Sequence, residues 1–458
     1  MKKRIGFVVS ALTLMALSSC TSPFEQNSVD EDKFNLTIAA QSEEGEEIVL
    51  KALADAYEEK HPDVNITVKT FGGELFRNYM TKYAANQSKL PDMLWMPDDQ
   101  FAAFADGGYF EDLRPFYEAS PETSYDKYYS SMLNAASYIG QYKPLSEDSD
   151  RKYGLYYAPR DYDKIGIVYN TKLFEDYGID VPSLDHWDMN AFYALCQTIA
   201  GKLGRGSHRV ITLNTYWEPV YTTFFQELGG DGLVTADGKF NLGSEKNRAA
   251  ESSLYDNLFA NDKMIQSQDN DFTRGLTFMT VVARPLVLGF KNKMAGLRSD
   301  GKSPIDFLPL PCHSIAAGCS GYGITKAHSE EVREVNGKQK KVKDLAWDFL
   351  KFIITEEGQN VAGKTGLSVP VLKSLAETGE WRKAVDSSLH HEAWLAGNEL
   401  RLTTYNIYQP NVRAELRELM SGFMTNLENQ TYGRPENRDQ LISDFAKDFN
   451  KKTEGKLL

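Results

Sequence analysis

Between residues 36 and 96 the apolar pattern switches repeatedly between strand and helix periods, and that alternation restricts the fold more than any other feature of the chain. A strand-like run at 36–40 precedes Ile48, Val49, Ala52, Leu53, Ala56 and Tyr57, which recur at helical spacing. A second strand at 66–70, a helix over 75–86 and a third strand at 92–96 complete a β-α-β-α-β unit. Because a strand returns parallel to its neighbour only through a crossover, the unit predicts a parallel sheet with helices on both faces. Ligands of such sheets sit beyond the carboxyl ends of the strands. Here those ends carry Ser42 and Glu43, Phe71, and Asp98 and Asp99.

A second α/β pattern begins near Lys164. It comprises a strand at 165–169, helices at 190–203, 217–228 and 245–259, and strands at 278–282 and 305–310. A glycine-rich run, Gly318 to Ile324, leads towards a helix at 344–355 whose Leu345, Phe349, Phe352 and Ile353 mark its buried side. Between them, residues 330–343 alternate around Asn336-Gly337, a two-residue hairpin signal that reads as a solvated ribbon. The C-terminal third reads as helical, ending in a helix at 437–450 with Leu441, Ile442, Phe445 and Phe449 on one face. A chain of 458 residues holds two or three domain-sized units whose cores need no covalent staples.

The N-terminus has a different character. Lys2, Lys3 and Arg4 precede an apolar run at 5–17, then small residues up to Cys20, the make-up of a secretory signal. The run is shorter than the roughly 20 residues that span a bilayer, and Gly6, Ser10 and Thr13 weaken it further. Leu17-Ser18-Ser19-Cys20 resembles the bacterial lipobox, which implies that residues 1–20 are removed as a lipoprotein signal peptide and that Cys20 carries the lipid. Two or three acyl chains would then hold the protein at the membrane. Residues 21–33 are polar and read as a flexible tether.

The formal net charge is −13, and loss of the basic signal makes it more negative, which disfavours nucleic acid as a partner. Of the remaining cysteines, Cys196 falls on an apolar helical face and reads as a buried thiol, while Cys312 and Cys319 either bridge across a short loop or stay unpaired. Zinc binding by Cys312, His313 and Cys319 lacks a second ligand pair, and no other metal or cofactor site is expected. Gly296 to Ser303 spells a P-loop, yet Lys291 and Lys293 precede it and Pro304 follows, where phosphate binding needs a buried strand and then a helix N-terminus.

Several stretches resemble the extracellular solute-binding proteins of family 1, the maltose-binding-like group. Gly154-Leu155-Tyr156-Tyr157-Ala158-Pro159 followed by residues 167–174 is one, and Gly107-Gly108-Tyr109-Phe110 with Glu111-Asp112-Leu113 another. Leu228-Gly229-Gly230, Gly321-Tyr322-Gly323-Ile324, Ala346-Trp347-Asp348-Phe349 and Gly366-Leu367-Ser368-Val369-Pro370 continue the match in the family's order. The resemblance implies a type II periplasmic-binding-protein-like α/β fold of two lobes, each a sheet flanked by helices, joined by three hinge crossings. By position these fall near 160–164, 318–322 and 369–372, with glycines at 318, 321 and 323 free to absorb rotation. One lobe would combine 34–161 with 322–369, and the other 162–321 with 370–458. The implied role is capture of a carbohydrate and delivery to the transmembrane subunits of an ABC importer, as a monomer without enzymatic activity.

A sugar's apolar C–H faces and many hydroxyls call for aromatic platforms beside charged or amide groups. The strand-end residues Ser42, Glu43, Phe71, Asp98 and Asp99 are candidates from one lobe, and Tyr162 and Asp163 match a ligand-contacting stretch of the family. Trp217, Glu218, Tyr221, Arg284, Ser320 and Tyr322 are the further candidates, with Trp394 and Tyr405 behind them. Where the family often places a tryptophan, this chain has Arg284, which either selects an acidic sugar, together with Arg160, or pairs internally with an acidic neighbour. Two other functions compete. Asp161, Asp163 and Glu218 would be the carboxylates of a glycan-processing enzyme, although residues two apart in a strand face opposite ways. A surface receptor passing its ligand to a membrane sensor would share the fold.

Overall fold

The computed structural model describes residues 30–42, 45–73, 76, 80, 87–97, 101–204, 208–266, 270–433 and 435–458. The signal peptide, Cys20, Glu43, Asp98, Asp99 and most of the expected helix at 75–86 lie outside the described residues.

The first sheet contains β1 (Phe34–Gln41), β2 (Val64–Phe71), β3 (Met93–Pro97), β4 (Ala158–Pro159) and β11 (Ser320–Ile324), in the order β2-β1-β3-β11-β4. Strand β1 runs parallel to both neighbours, pairing Phe34 with Val64 and Ile38 with Met93. Phe34, Leu36, Ile38, Ala39 and Ala40 are all fully buried, as a central strand covered on both faces requires. Helix Glu46–Lys60 lays Val49, Leu50 and Leu53 on the sheet, and helix Val342–Ile354 adds Leu345, Phe349 and Ile353. Each such side chain contributes roughly 1.5–3 kcal/mol on burial. Asp92 sits buried at the start of β3, where its carboxylate accepts the Thr37 amide at 2.8 Å and Arg333 Nη2 at 2.8 Å. It thereby fastens β3 to β1 and to the hairpin described below.

The second sheet contains β5 (Asp163–Asn170), β6 (Arg209–Thr212), β7 (Ile265–Gln266), β8 (Thr277–Ala283), β9 (Ile305–Leu308), β10 (Ser314–Gly318) and β14 (Asn398–Arg401). Its order is β14-β10-β5-β8-β6-β7, with β9 also on β5. The apolar cluster built on it takes Phe192, Cys196 and Ile199 from helix Met189–Lys202 and Met420, Phe423 and Leu427 from helix Pro410–Gly433. The molecule is a mixed α/β structure of two lobes, with helices flanking both sheets. A separate ribbon, β12 (Val332–Val335) and β13 (Lys338–Lys341), turns at Asn336 (φ 51°) and Gly337 (φ 77°), the left-handed pair expected of Asn-Gly.

The segment from Gly318 onward is ordered strand, and Gly321 and Gly323 lack positive φ. A Cβ at Gly321 would strike the Ala158 carbonyl, and one at Gly323 the Tyr156 carbonyl and the Phe110 ring. Glycine is needed there for close approach and not for rotation. Cys196, Cys312 and Cys319 are all buried and outside any disulfide, with Cys319 Sγ 3.0 Å from the Tyr157 hydroxyl. The P-loop spelling folds as a 3₁₀ turn, Ala295–Leu297, after which Arg298 pairs with Glu175 at 2.7 Å and the chain enters β9 and not a helix.

Candidate ligand-binding cleft

Consecutive strands carry the chain from one sheet to the other at two places, through Arg160 and Asp161 between β4 and β5 and through Cys319 between β10 and β11. A third passage runs beside the first, with the Tyr162 amide donating to the Val369 carbonyl at 2.9 Å and Asp161 bridging Pro370. Arg160 joins them. Its guanidinium lies 2.6 Å from both Glu46 and Asp161, and it donates to Ser320 Oγ at 3.1 Å and to the Ser368 hydroxyl. Burial raises the Glu46 carboxyl to about 7 despite that guanidinium.

Against these crossings lies a cleft of about 610 Å³. From the first sheet and its helices come Gln41, Glu46, Trp95, Phe101 and Tyr138, and from the crossings Arg160, Asp161, Asp163, Lys164 and Ser320. Opposite stand Tyr216, Trp217, Glu218 and Tyr221, at the start of helix Glu218–Glu227. The C-terminal region closes the wall with Arg401, Asn406, Arg413 and Arg417. Glu218 accepts from Arg417 Nε at 3.0 Å, and the Tyr221 hydroxyl meets that of Tyr405 at 3.1 Å. Among the described residues no cluster of His, Cys, Asp or Glu could hold a metal, and no helix is long and apolar enough to cross a membrane.

Among solved structures, an ABC substrate-binding protein of Listeria monocytogenes in complex with cycloalternan superposes with a TM-score of 0.66 at 14% identity, covering 92% of this chain and 100% of that one. The sugar-binding protein MalE of Xanthomonas citri gives 0.67 at 15% identity, over 91% of this chain and 96% of that one. Maltose-bound MalE3 of T. maritima gives 0.65 at 16%, over 92% and 100%. No curated protein sequence matches the chain. The model of the family described as bacterial extracellular solute-binding protein matches residues 42–360. The chain belongs to that family. As a bacterial extracellular solute-binding protein it works outside the cytoplasm, and its fold is that of the sugar-binding components of ABC transporters.

Of the residues singled out from the sequence of this solute-binding protein, the fold brings Asp163, Trp217, Glu218, Tyr221 and Ser320 together on the cleft wall. Others stand off it. Ser42 donates its amide to the Phe71 carbonyl at 2.8 Å, where β1 and β2 end. Tyr162 is buried and stacked on Tyr129 with ring centroids 4.2 Å apart, and Tyr322 is buried with its hydroxyl donating to Glu46. Arg284 is fully buried behind Ala283 and Pro285, donates to the Gly366 carbonyl at 2.8 Å, and lies 5.5 Å and 6.0 Å from the Trp381 and Trp394 ring centroids. Burial lowers its guanidinium to about 10. Trp394 packs over Gly166, and Tyr405 stands behind the cleft wall, against Tyr221 and Arg417.

Sequence reasoning missed Trp95, Tyr138, Lys164, Arg401, Arg413 and Arg417. Trp95 carried a usable signal, since an indole in an otherwise aliphatic strand whose carboxyl end faces the ligand region needs a partner for its N–H. The arginines carried none, because long-range strand pairing and helix packing alone bring them to the cleft.

Proposed function

We propose that this solute-binding protein captures an oligosaccharide in the cleft and hands it to the transmembrane subunits of an ABC importer, held at the membrane by lipid on Cys20. The observation that carries the reading is the cleft wall itself. Trp95 and Tyr138 on one side and Trp217 and Tyr221 on the other present aromatic surface beside charged and hydroxyl groups, which suits the alternating apolar faces and hydroxyls of a sugar. The bound cycloalternan and maltose of the structural neighbours point the same way.

Binding would draw together a lobe of residues 34–161 with 322–369 and a lobe of 162–321 with 370–458, since a ligand favours the closed state only through groups from both. Two of the three carboxylates considered for catalysis already serve as partners of Arg160 and Arg417, which supports binding without turnover. Native mass spectrometry of the freshly purified protein should show a co-purifying saccharide, and a thermal-shift panel of oligosaccharides should raise the melting temperature. Solution scattering unchanged by every saccharide offered, with none retained, overturns the reading.

A further inference from the structure

The cations on the cleft wall are not equally matched. Arg160 faces Glu46 and Asp161, and Arg417 faces Glu218. Arg401 is different. Half-buried at the end of β14, it makes no hydrogen bond or ion pair among the described residues, and burial alone lowers its guanidinium. The amide group of Asn406 beside it is likewise without a hydrogen-bond partner among the described residues.

Its neighbours add positive charge. Across the sheet Arg401 pairs with Ala317, and Ala317 pairs with Lys164, so both cations rise from the same face on either side of an alanine, their Cα atoms about 10 Å apart. The Lys164 ammonium donates to the carbonyls of Ala396 and Gly397, at 3.0 and 2.7 Å, with the Glu399 carboxylate close enough to act on its charge. Arg413, buried in the adjoining wall, is held by the carbonyls of Tyr138, Asn406 and Tyr408. The other carboxylates on the cleft wall are Asp163 and the exposed Glu418. From the other lobe Gly140 (φ 73°) closes against Arg401 Nη2 and the Asn406 amide, where a methyl group would collide with both.

A guanidinium withdrawn from water without an acceptor is costly, and a planar oxyanion is the group that offsets that cost with paired hydrogen bonds. We infer that the saccharide is acidic and that an oxyanion on its ring, a uronate carboxylate or a sulfate ester, is bound by Arg401 and the Asn406 amide. This rests on the carbohydrate reading and narrows it. It also relocates the selectivity that the sequence suggested for Arg284.

The test is titration calorimetry of the mature full-length chain with matched pairs of oligosaccharides. Pectate and alginate fragments are compared with their carboxyl-reduced forms, and chondroitin sulfate fragments with their desulfated forms, which tells a carboxylate from a sulfate. Within the pair that fits, the acidic member should bind about tenfold or more tightly, the scale of a charge-assisted bond to Arg. Arg401→Gln should erase the difference while changing the affinity of the neutral member less than about twofold. Arg401→Lys, which keeps the charge but not the fork, should retain part of it and serves also if the glutamine variant fails to fold. Equal affinity within every pair, or a preference that survives Arg401→Gln, overturns the inference. So does binding of neutral oligosaccharides alone, which leaves the carbohydrate reading standing. Binding of no saccharide at all removes both.

Discussion

Ser320 donates its amide to Asp161 Oδ1 at 2.6 Å and its hydroxyl to Asp161 Oδ2 at 2.9 Å, so one carboxylate on the first crossing grips the strand that leaves the second. The same carboxylate faces Arg160, and all three groups are buried. Removing one member of a buried ion pair commonly costs about 3–5 kcal/mol, because its partner keeps an uncompensated charge. Glu46 remains beside Arg160 and softens the loss. Asp161→Asn should therefore lower unfolding stability by about 2–4 kcal/mol in denaturant titration, and Ser320→Ala by about 1 kcal/mol. Equal effects of the two would mean that the charge contributes nothing beyond the hydrogen bonds.

Trp217 tests the aromatic platform. It stands at the N-terminus of helix Glu218–Glu227, half-buried on the cleft wall at the margin of the second apolar cluster. Trp217→Ala should weaken saccharide binding about tenfold or more, and Trp217→Phe less, with unfolding stability changed by about 1 kcal/mol at most. Calorimetry and denaturant titration on the same preparations separate the two effects.

Arg284 makes the contrasting case. Enclosed by Trp381 and Trp394 and tied to the Gly366 carbonyl, it is a packing cation. Arg284→Ala should destabilise the fold by about 2–4 kcal/mol through the cavity and the lost contacts. Arg284→Met fills most of that space and should cost less. In both variants the ratio of acidic to neutral saccharide affinity should stay that of the wild type.

His391 sets a stability change at mildly acidic pH. It is buried against Phe307 and Trp381, its Nε2 is 2.7 Å from the Asp386 carbonyl, and burial, with Arg284 and Arg382 nearby, lowers it to about 4. The unfolded chain takes up this proton near 6.5 and the folded chain only near 4, so stability falls as pH drops through that window, by up to about 3 kcal/mol. Its neighbour His390 is raised by Asp306, so its contribution is full below 6.5 and fades as pH rises through the folded value, in the opposite sense. The difference between wild type and His391→Gln isolates the first effect. That difference should change with pH below 6.5 and become constant above about pH 7.

The sequence disclosed those parts of the fold whose pattern is local. Strands β1, β2, β3, β5 and β8, helices Met189–Lys202 and Val342–Ile354, and the Asn336-Gly337 turn all announce themselves by periodicity or by turn chemistry. Strands β4, β10 and β14 do not. They have two to five residues each and exist because β11, β5 or β10 offers them an edge, which no window of neighbouring residues records. The cleft divides in the same way. Trp217, Glu218 and Tyr221 share one helix start and could be chosen together, whereas Arg401 meets Lys164 only through the intervening strand β10. Arg284 stands where the family often places a tryptophan, and nothing local reveals that two tryptophans about a hundred residues downstream enclose it.

Arg160 has a mechanical consequence. Since its side chain and that of Asp161 hold all three passages between the sheets, no single connection can twist alone. Any relative swing must pivot at this fastening, where displacement is least. Wall residues away from it would then sweep the widest arcs, as the tips of tongs travel while the rivet stays still.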